Sequence, residues 1–131
     1  FISQPIRENK ELNQQYKYQR FKYPNLNQHE IYEFLKSNIK FYCNDFIHTW
    51  FIHPHPSESI ISLDLWNQIC KKNNHTKLNP FNINSVNKND LYFGLHSSVL
   101  VEVSLQTSNV FSLCDAINYD VKLPHKEIRQ I

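Results

Sequence analysis

The chain has 131 residues, 40% of them hydrophobic, and a formal charge of +2, which gives it room for one domain with a real core. A charge that small does not imply nucleic-acid binding by itself, so only its distribution can argue for such a partner. A single glycine, Gly94, and three scattered cysteines, Cys43, Cys70 and Cys114, exclude a glycine-rich phosphate loop, and with it nucleotide-dependent chemistry, a disulfide framework and a zinc ribbon.

Methionine is absent and the first residue is Phe1, so the chain reads as a piece of a longer polypeptide. No apolar run approaches the roughly 18 residues that a bilayer requires, and Phe1 to Ile6 is too short and polar for a secretory core. Unpaired cysteines point to a reducing compartment, the cytosol or nucleus. Asn74-His75-Thr76 matches a glycosylation sequon only formally, since nothing else marks a secreted chain.

Residues 1–24 carry five cations, Arg7, Lys10, Lys17, Arg20 and Lys22, against two anions, Glu8 and Glu11. With Tyr16, Tyr18, Phe21 and Tyr23 this stretch reads as a basic, aromatic arm, either extended or in a short helix lying on the core. Pro24 ends it. Asn27, followed three positions later by Glu30, satisfies the free amides of a helix start. Ile31, Phe34, Leu35, Ile39 and Tyr42 then recur at helical spacing, which predicts a first core helix through about Tyr42.

Phe46 to His53 is aromatic and β-branched and predicts an extended run, stopped by Pro54 and Pro56. Ser59 to Ile61 predicts a short strand. Ser62 then caps a second helix carrying Leu63, Leu65, Trp66 and Ile69, with Lys71 and Lys72 suited to its negative end. After a polar connection from Asn73 to Asn84, Ser85 or Asn87 caps a third helix with Leu91, Leu95 and Val99 facing inward. Val99, Val101, Val103 and Leu105 alternate with polar positions, and Val110 to Leu113 returns after the turn Gln106 to Asn109. Leu123 to Glu127 begins a further helix.

That order predicts an α+β winged helix-turn-helix, a three-helix core with a β-hairpin wing, over residues 25–115. Residues 1–24 are its N-terminal arm and residues 116–131 its C-terminal extension.

Several residue sets carry chemistry. Cys43, His48, His53 and His55 include zinc-ligating atoms, but strand alternation sends His48 and His53 to opposite faces, so surface or structural histidines are expected and no metal. Cys43 near His48, and Cys70 near His75, form the outline of a thiolate and base. Cys70 beside core Ile69 and Cys114 at a strand end read instead as packing residues, and no enzyme is expected. Tyr16, Lys17, Tyr18, Arg20 and Lys22 interleave stacking faces with cations, the pattern of a single-stranded nucleic-acid contact; an arm packed on the surface gives the same letters. The outward residues of the third helix, Lys88, Asn89, Tyr92, Phe93 and His96, lack arginine and suit a protein partner better than a duplex; the alternative is that Tyr92 or Phe93 packs beneath the first helix.

From Asn27-Gln28-His29-Glu30-Ile31 through Ser62-Leu63-Asp64-Leu65-Trp66 to the hairpin Val99 to Leu113, the element order resembles the winged-helix domains that follow an OB-fold in replication-protein-A-like small subunits, including that of the CST telomere-capping complex. The resemblance implies a non-catalytic nuclear module of DNA replication or telomere maintenance. It would dock onto a protein subunit and need no cofactor, membrane or small-molecule substrate. Direct single-stranded DNA binding through the arm is the alternative.

Overall fold

The computed structural model describes residues 1–5, 8, 27–38, 49–115 and 128–130. Helix α1, Gln28–Asn38, starts where Asn27 Oδ1 accepts the Glu30 N–H at 3.0 Å, and buries Ile31, Tyr32 and Leu35. Strand β1, Trp50–Ile52, leads into helix α2, Ile60–Lys72, capped by Ser59, whose side chain accepts from the Ser62 N–H. An exchange of that cap costs about 1 kcal/mol in comparable helices. Strand β2, Thr76–Leu78, follows, then a 3₁₀ turn at Ile83–Ser85 and strand β3, Tyr92–Gly94. Helix α3, Ser98–Ser104, strand β4, Val110–Ser112, and strand β5, Arg129–Gln130, complete the described elements.

The expected mixture of helices and strands is present, with the first two helices close to their predicted places. The strands pair in a way that sets the functional question. Trp50 of β1 lies opposite Thr76 of β2 in parallel, and Tyr92, Val110 and their successors run parallel through β3, β4 and β5. Between these two groups lies the beginning of the chain. His53 N–H donates to Phe1 O at 2.8 Å and Ser3 N–H to His53 O at 2.9 Å, while on the other side Ile2 N–H donates to Phe93 O at 2.7 Å. Ile2 and His53 form a parallel bridge. The order across the molecule is therefore β2, β1, residues 1–3, β3, β4, β5.

Alternating side chains divide the core between two faces. Phe1, Ile52, Phe93 and Phe111 pack with Trp66 and Ile69 of α2 and Ile31 and Leu35 of α1. Ile2, Tyr92 and Val110 pack with Leu100 and Val103 of α3. Helices on both faces of a parallel sheet, with residues 1–3 in the middle and the later strands added first on one side and then on the other, make a doubly wound arrangement. Gly94 lets α3 approach: a Cβ there would stand 2.8 Å from Leu100 Cδ1.

Four sequence expectations are corrected. Tyr92 to Gly94 form a strand rather than part of a third helix; all three are buried, and a short apolar run buried on both faces shows no alternation to separate it from a helix turn. Val99 to Ser104 form α3 rather than a wing strand, since Ser97 caps it by accepting the Val99 N–H and Leu100 and Val103 share a helical face. Every strand pair among the described residues is parallel, so β4 lies beside β3 and residues 99–113 do not form the antiparallel wing. Finally, the outer segments join the sheet: Phe1 to Ser3 at its centre, and Arg129 and Gln130, placed in the C-terminal extension, as β5.

Candidate functional site

Parallel strands bring all their carboxyl ends to one edge. In open α/β sheets a ligand sits beyond that edge, in the crevice where successive connections diverge to opposite sides. Here the divergence falls between residues 1–3 and β3. His96, just past β3, donates its N–H to Gln4 Oε1 at 2.8 Å and so bridges the two strand ends. On the β1 side the chain continues through His53, Pro54 and His55 to Glu58 and the cap of α2; on the β3 side it continues through His96 to Ser97.

The three histidines are held differently. His53 sits between Phe51, with rings 6.5 Å apart and nearly parallel, and the edge of Phe81 at 5.3 Å. Its Nδ1 lies 2.7 Å from Asn79 O; a carbonyl can only accept, so Nδ1 carries the proton and Nε2 the lone pair of the neutral ring. Burial pushes its imidazolium below the ordinary range, which favours that neutral form. Burial also lowers His96. His55 Nδ1 accepts the Ser57 N–H at 3.0 Å, leaving the Nε2–H of the neutral ring as a donor.

Two carboxyl groups support this edge. Glu58 is buried and accepts from the Ser3 hydroxyl, from Trp66 Nε1 at 3.3 Å and from the His55 N–H at 3.3 Å. Burial pushes it above the usual carboxylate range, and neighbouring Glu8 adds to the rise against the pull of those hydrogen bonds. Glu8 Oε1 accepts from the Ser59 N–H and the Ser62 hydroxyl, each at 2.8 Å. Burial works against its ionisation, but the bonds from Ser59 and Ser62 prevail and hold it below the ordinary range. The start of α2 also favours a negative charge there.

Among the described residues, no lysine or arginine stands in the loops 3–5, 53–59, 79–81 or 95–97, and no cluster of three metal-ligating side chains exists. Amide, hydroxyl and imidazole groups make this an edge suited to hydrogen-bonding a polar molecule.

The residues singled out in the sequence do not converge. Tyr92 and Phe93, expected outside, are buried in β3; the Tyr92 hydroxyl accepts the Asn87 N–H at 2.9 Å and Phe93 stacks on Phe111 at 5.3 Å. Their exposure was inferred from a helix that the backbone does not form. Lys88 and Asn89 are exposed ahead of β3, at the opposite edge from His96, which alone of the five reaches the crevice loops. Tyr16, Lys17, Tyr18, Arg20 and Lys22, like Cys43 and His48, lie outside the described residues. Cys70 is half-buried and Cys114 buried, both free, and burial raises both thiols, as packing residues require. Gln4, Glu8, Glu58 and Ser97 went unnoticed as site residues: only the fold brings Gln4 to His96, Glu8 to Ser59 and Ser62, and Glu58 to Ser3.

Among the described residues no helix is long and apolar enough to cross a membrane. Compared with family models, curated proteins and solved structures, the chain matches none.

Proposed function

We propose that this domain binds a small polar molecule in the crevice at the carboxyl edge of its parallel sheet, between the Gln4 and His55 loop ends on one side and His96 and Ser97 on the other. The observation that carries the reading is the Gln4–His96 bridge at the point where the connections diverge, the place where doubly wound sheets take their ligands. Recognition runs through hydrogen bonds: the Gln4 amide, His55 Nε2–H and the Ser97 hydroxyl, whose oxygen already accepts the Val99 N–H at 3.2 Å and whose proton is left to donate. This reading departs from the expectation of no small-molecule ligand. With a single glycine in the chain, any phosphate it takes is not cradled by a glycine-rich loop.

The test is amide chemical-shift mapping of the labelled chain against nucleosides, nucleoside phosphates, sugars and sugar phosphates. Binding at the crevice moves Gln4, His55, His96 and Ser97 together. If no compound moves them, the reading fails.

A second reading, a docking module of a nuclear DNA-maintenance assembly, finds support in one observation. Ile60 and Ile61 are 78% and 54% exposed on the first turn of α2, an unusual place for adjacent branched apolar side chains. It would use that turn rather than Tyr92 and Phe93. Loss of partner capture in an Ile60→Asp, Ile61→Asp variant, with the crevice amides unmoved by every small molecule, would favour docking over ligand binding.

A further inference from the structure

Residues 65–89 include four lysines, Lys71, Lys72, Lys77 and Lys88, and no aspartate or glutamate. The second half of α2, β2 and the loop after it therefore carry charge of one sign in a chain whose net charge is only +2. The fold sets part of that charge beside aromatic rings. Thr76 of β2 turns toward α1, where its hydroxyl meets that of Tyr32, so Lys77, the next residue, points to the opposite face. Its partner in register is Phe51 of β1. Phe51 and His53 share that face with their rings nearly parallel, and His53 and Phe81 meet edge to face with centroids 5.3 Å apart.

This is the face on which α3 lies, since Ile2, the bridge partner of His53, belongs to the α3 cluster. The helix covers only part of it. Leu100 and Val103 pack with Ile2, Tyr92 and Val110, while over β1 and β2 Phe51 stays 42% exposed and Lys77 is exposed. The aromatic shelf is preformed. Asn79 extends β2 by donating its N–H to Ile52 O at 2.9 Å, and its carbonyl accepts the His53 Nδ1–H at 2.7 Å. Pro80 keeps Asn79 extended, and these constraints hold the His53 ring between Phe51 and Phe81.

We propose that the open β1–β2 half of this face binds single-stranded nucleic acid, with bases stacked on Phe51 and Phe81 and the backbone neutralised by Lys77. Unpaired bases offer a ring face at every position and a phosphate at every link, which is what exposed aromatics beside an unopposed cation recognise. Lys71 and Lys72, exposed in the last turn of α2 just before β2, add to the positive field at this edge of the sheet. A duplex keeps its base faces stacked inside and offers the lysines only phosphates. Neither contact reads the sugar, so DNA and RNA strands bind alike. The surface is separate from the crevice bounded by Gln4, His55, His96 and Ser97, and from the arm that carries Arg20 and Lys22.

The experiment is a fluorescence-anisotropy titration of the whole chain with labelled DNA and RNA strands of about 16 nucleotides and with the matching duplex, at several salt concentrations. Both strands bind. Loss of one stacked base weakens binding by about tenfold, which is the effect expected for Phe51→Ala and the least expected for the duplex. Lys77→Ala flattens the slope of log affinity against log salt by about 0.7, the share of one phosphate contact on a single strand. Amide shifts on adding the DNA strand centre on Phe51, Lys77 and Phe81. If thermal melting shows that Phe51→Ala is unfolded, Phe51→Leu, which keeps the bulk without the ring face, gives the same reading. Three results would each overturn the proposal: no single-strand binding at low salt, a duplex bound as tightly as the strand, or an affinity that Phe51→Ala and Lys77→Ala leave unchanged. The last includes the case in which Arg20→Ala with Lys22→Ala abolishes it, and shifts centred on Gln4 and Ser97 would count against the surface equally.

Discussion

The backbone N–H of His96 donates to the side-chain oxygen of Gln4 at 2.8 Å across 92 positions of sequence, tying the end of the central segment to the end of β3. This bond fixes the spacing of two strand ends whose loops lead outward to opposite sides of the sheet.

Gln4→Ala removes the acceptor and is expected to cost about 1 kcal/mol, the usual net worth of one such bond. Gln4→Glu keeps an acceptor for His96 but places a carboxylate at the crevice, so stability should stay near wild type while the preference for anionic ligands falls. Urea denaturation of the two variants, beside the same shift mapping, checks both halves. Equal destabilisation by Ala and Glu would deny the bond its structural role.

Gly94 owes its place to close packing. A Cβ at this position meets Leu100 Cδ1 at 2.8 Å and its Cγ at 3.0 Å, and Leu100 is fully buried against the same face. Gly94→Ala is expected to cost about 1–3 kcal/mol by overpacking. In a Leu100→Ala background, already weakened by about 2–5 kcal/mol, the added methyl should cost less or help. A double-mutant cycle from denaturation midpoints reads the coupling; strict additivity would place the strain elsewhere.

How much of this was legible in the letters depends on where each signal came from. Asn27 with Glu30, and the apolar stripe of Ile31 and Leu35, marked α1 because a helix start and a helix face are local properties. The apolar positions of α2 from Leu63 onward were likewise plain, but Ser59 rather than Ser62 caps it, and Ile60 and Ile61, expected in a short strand, form its first turn. The second half was not readable in the same way. Val99, Val101 and Val103 alternate like a strand, and only packing of Leu100 and Val103 against β3 and β4 makes them a helix, which is tertiary context overriding pattern. Tyr92 and Phe93 read as surface anchors because burial on both faces leaves no polar alternation. The site was less legible still, since Ser3 meets Glu58, and Gln4 meets His96, only through the order of strands.

His96 supplies a pH test of the edge. Burial lowers its imidazolium below the ordinary range, so the folded chain binds a proton less readily than the unfolded chain does. Stability is therefore expected to fall as pH drops below the unfolded value, about 6.5, until the lower folded value is passed. His96→Gln removes that contribution, and the difference between wild-type and variant stability should shrink through this window. A difference independent of pH between 5 and about 7 would mean that His96 is not held neutral by the fold.

The Tyr32 and Thr76 hydroxyls lie 2.6 Å apart and buried, linking α1 to β2, the outermost strand of the described sheet on the β1 side. Their value to the fold is unequal to the cost of breaking them. Thr76→Val leaves the Tyr32 hydroxyl buried without its partner and should cost about 1–3 kcal/mol, as should Tyr32→Phe on the other side. Removing both groups together leaves neither orphaned, so the double variant should sit closer to wild type than either single one. Thermal denaturation of the four chains tests this. The sign of the coupling distinguishes two accounts of how α1 is fixed. Recovery in the double variant means that packing of Tyr32 and Leu35 holds the helix and the hydroxyl pair only settles its own burial. A double loss as large as the sum of the singles means that the bond itself anchors α1 to the sheet.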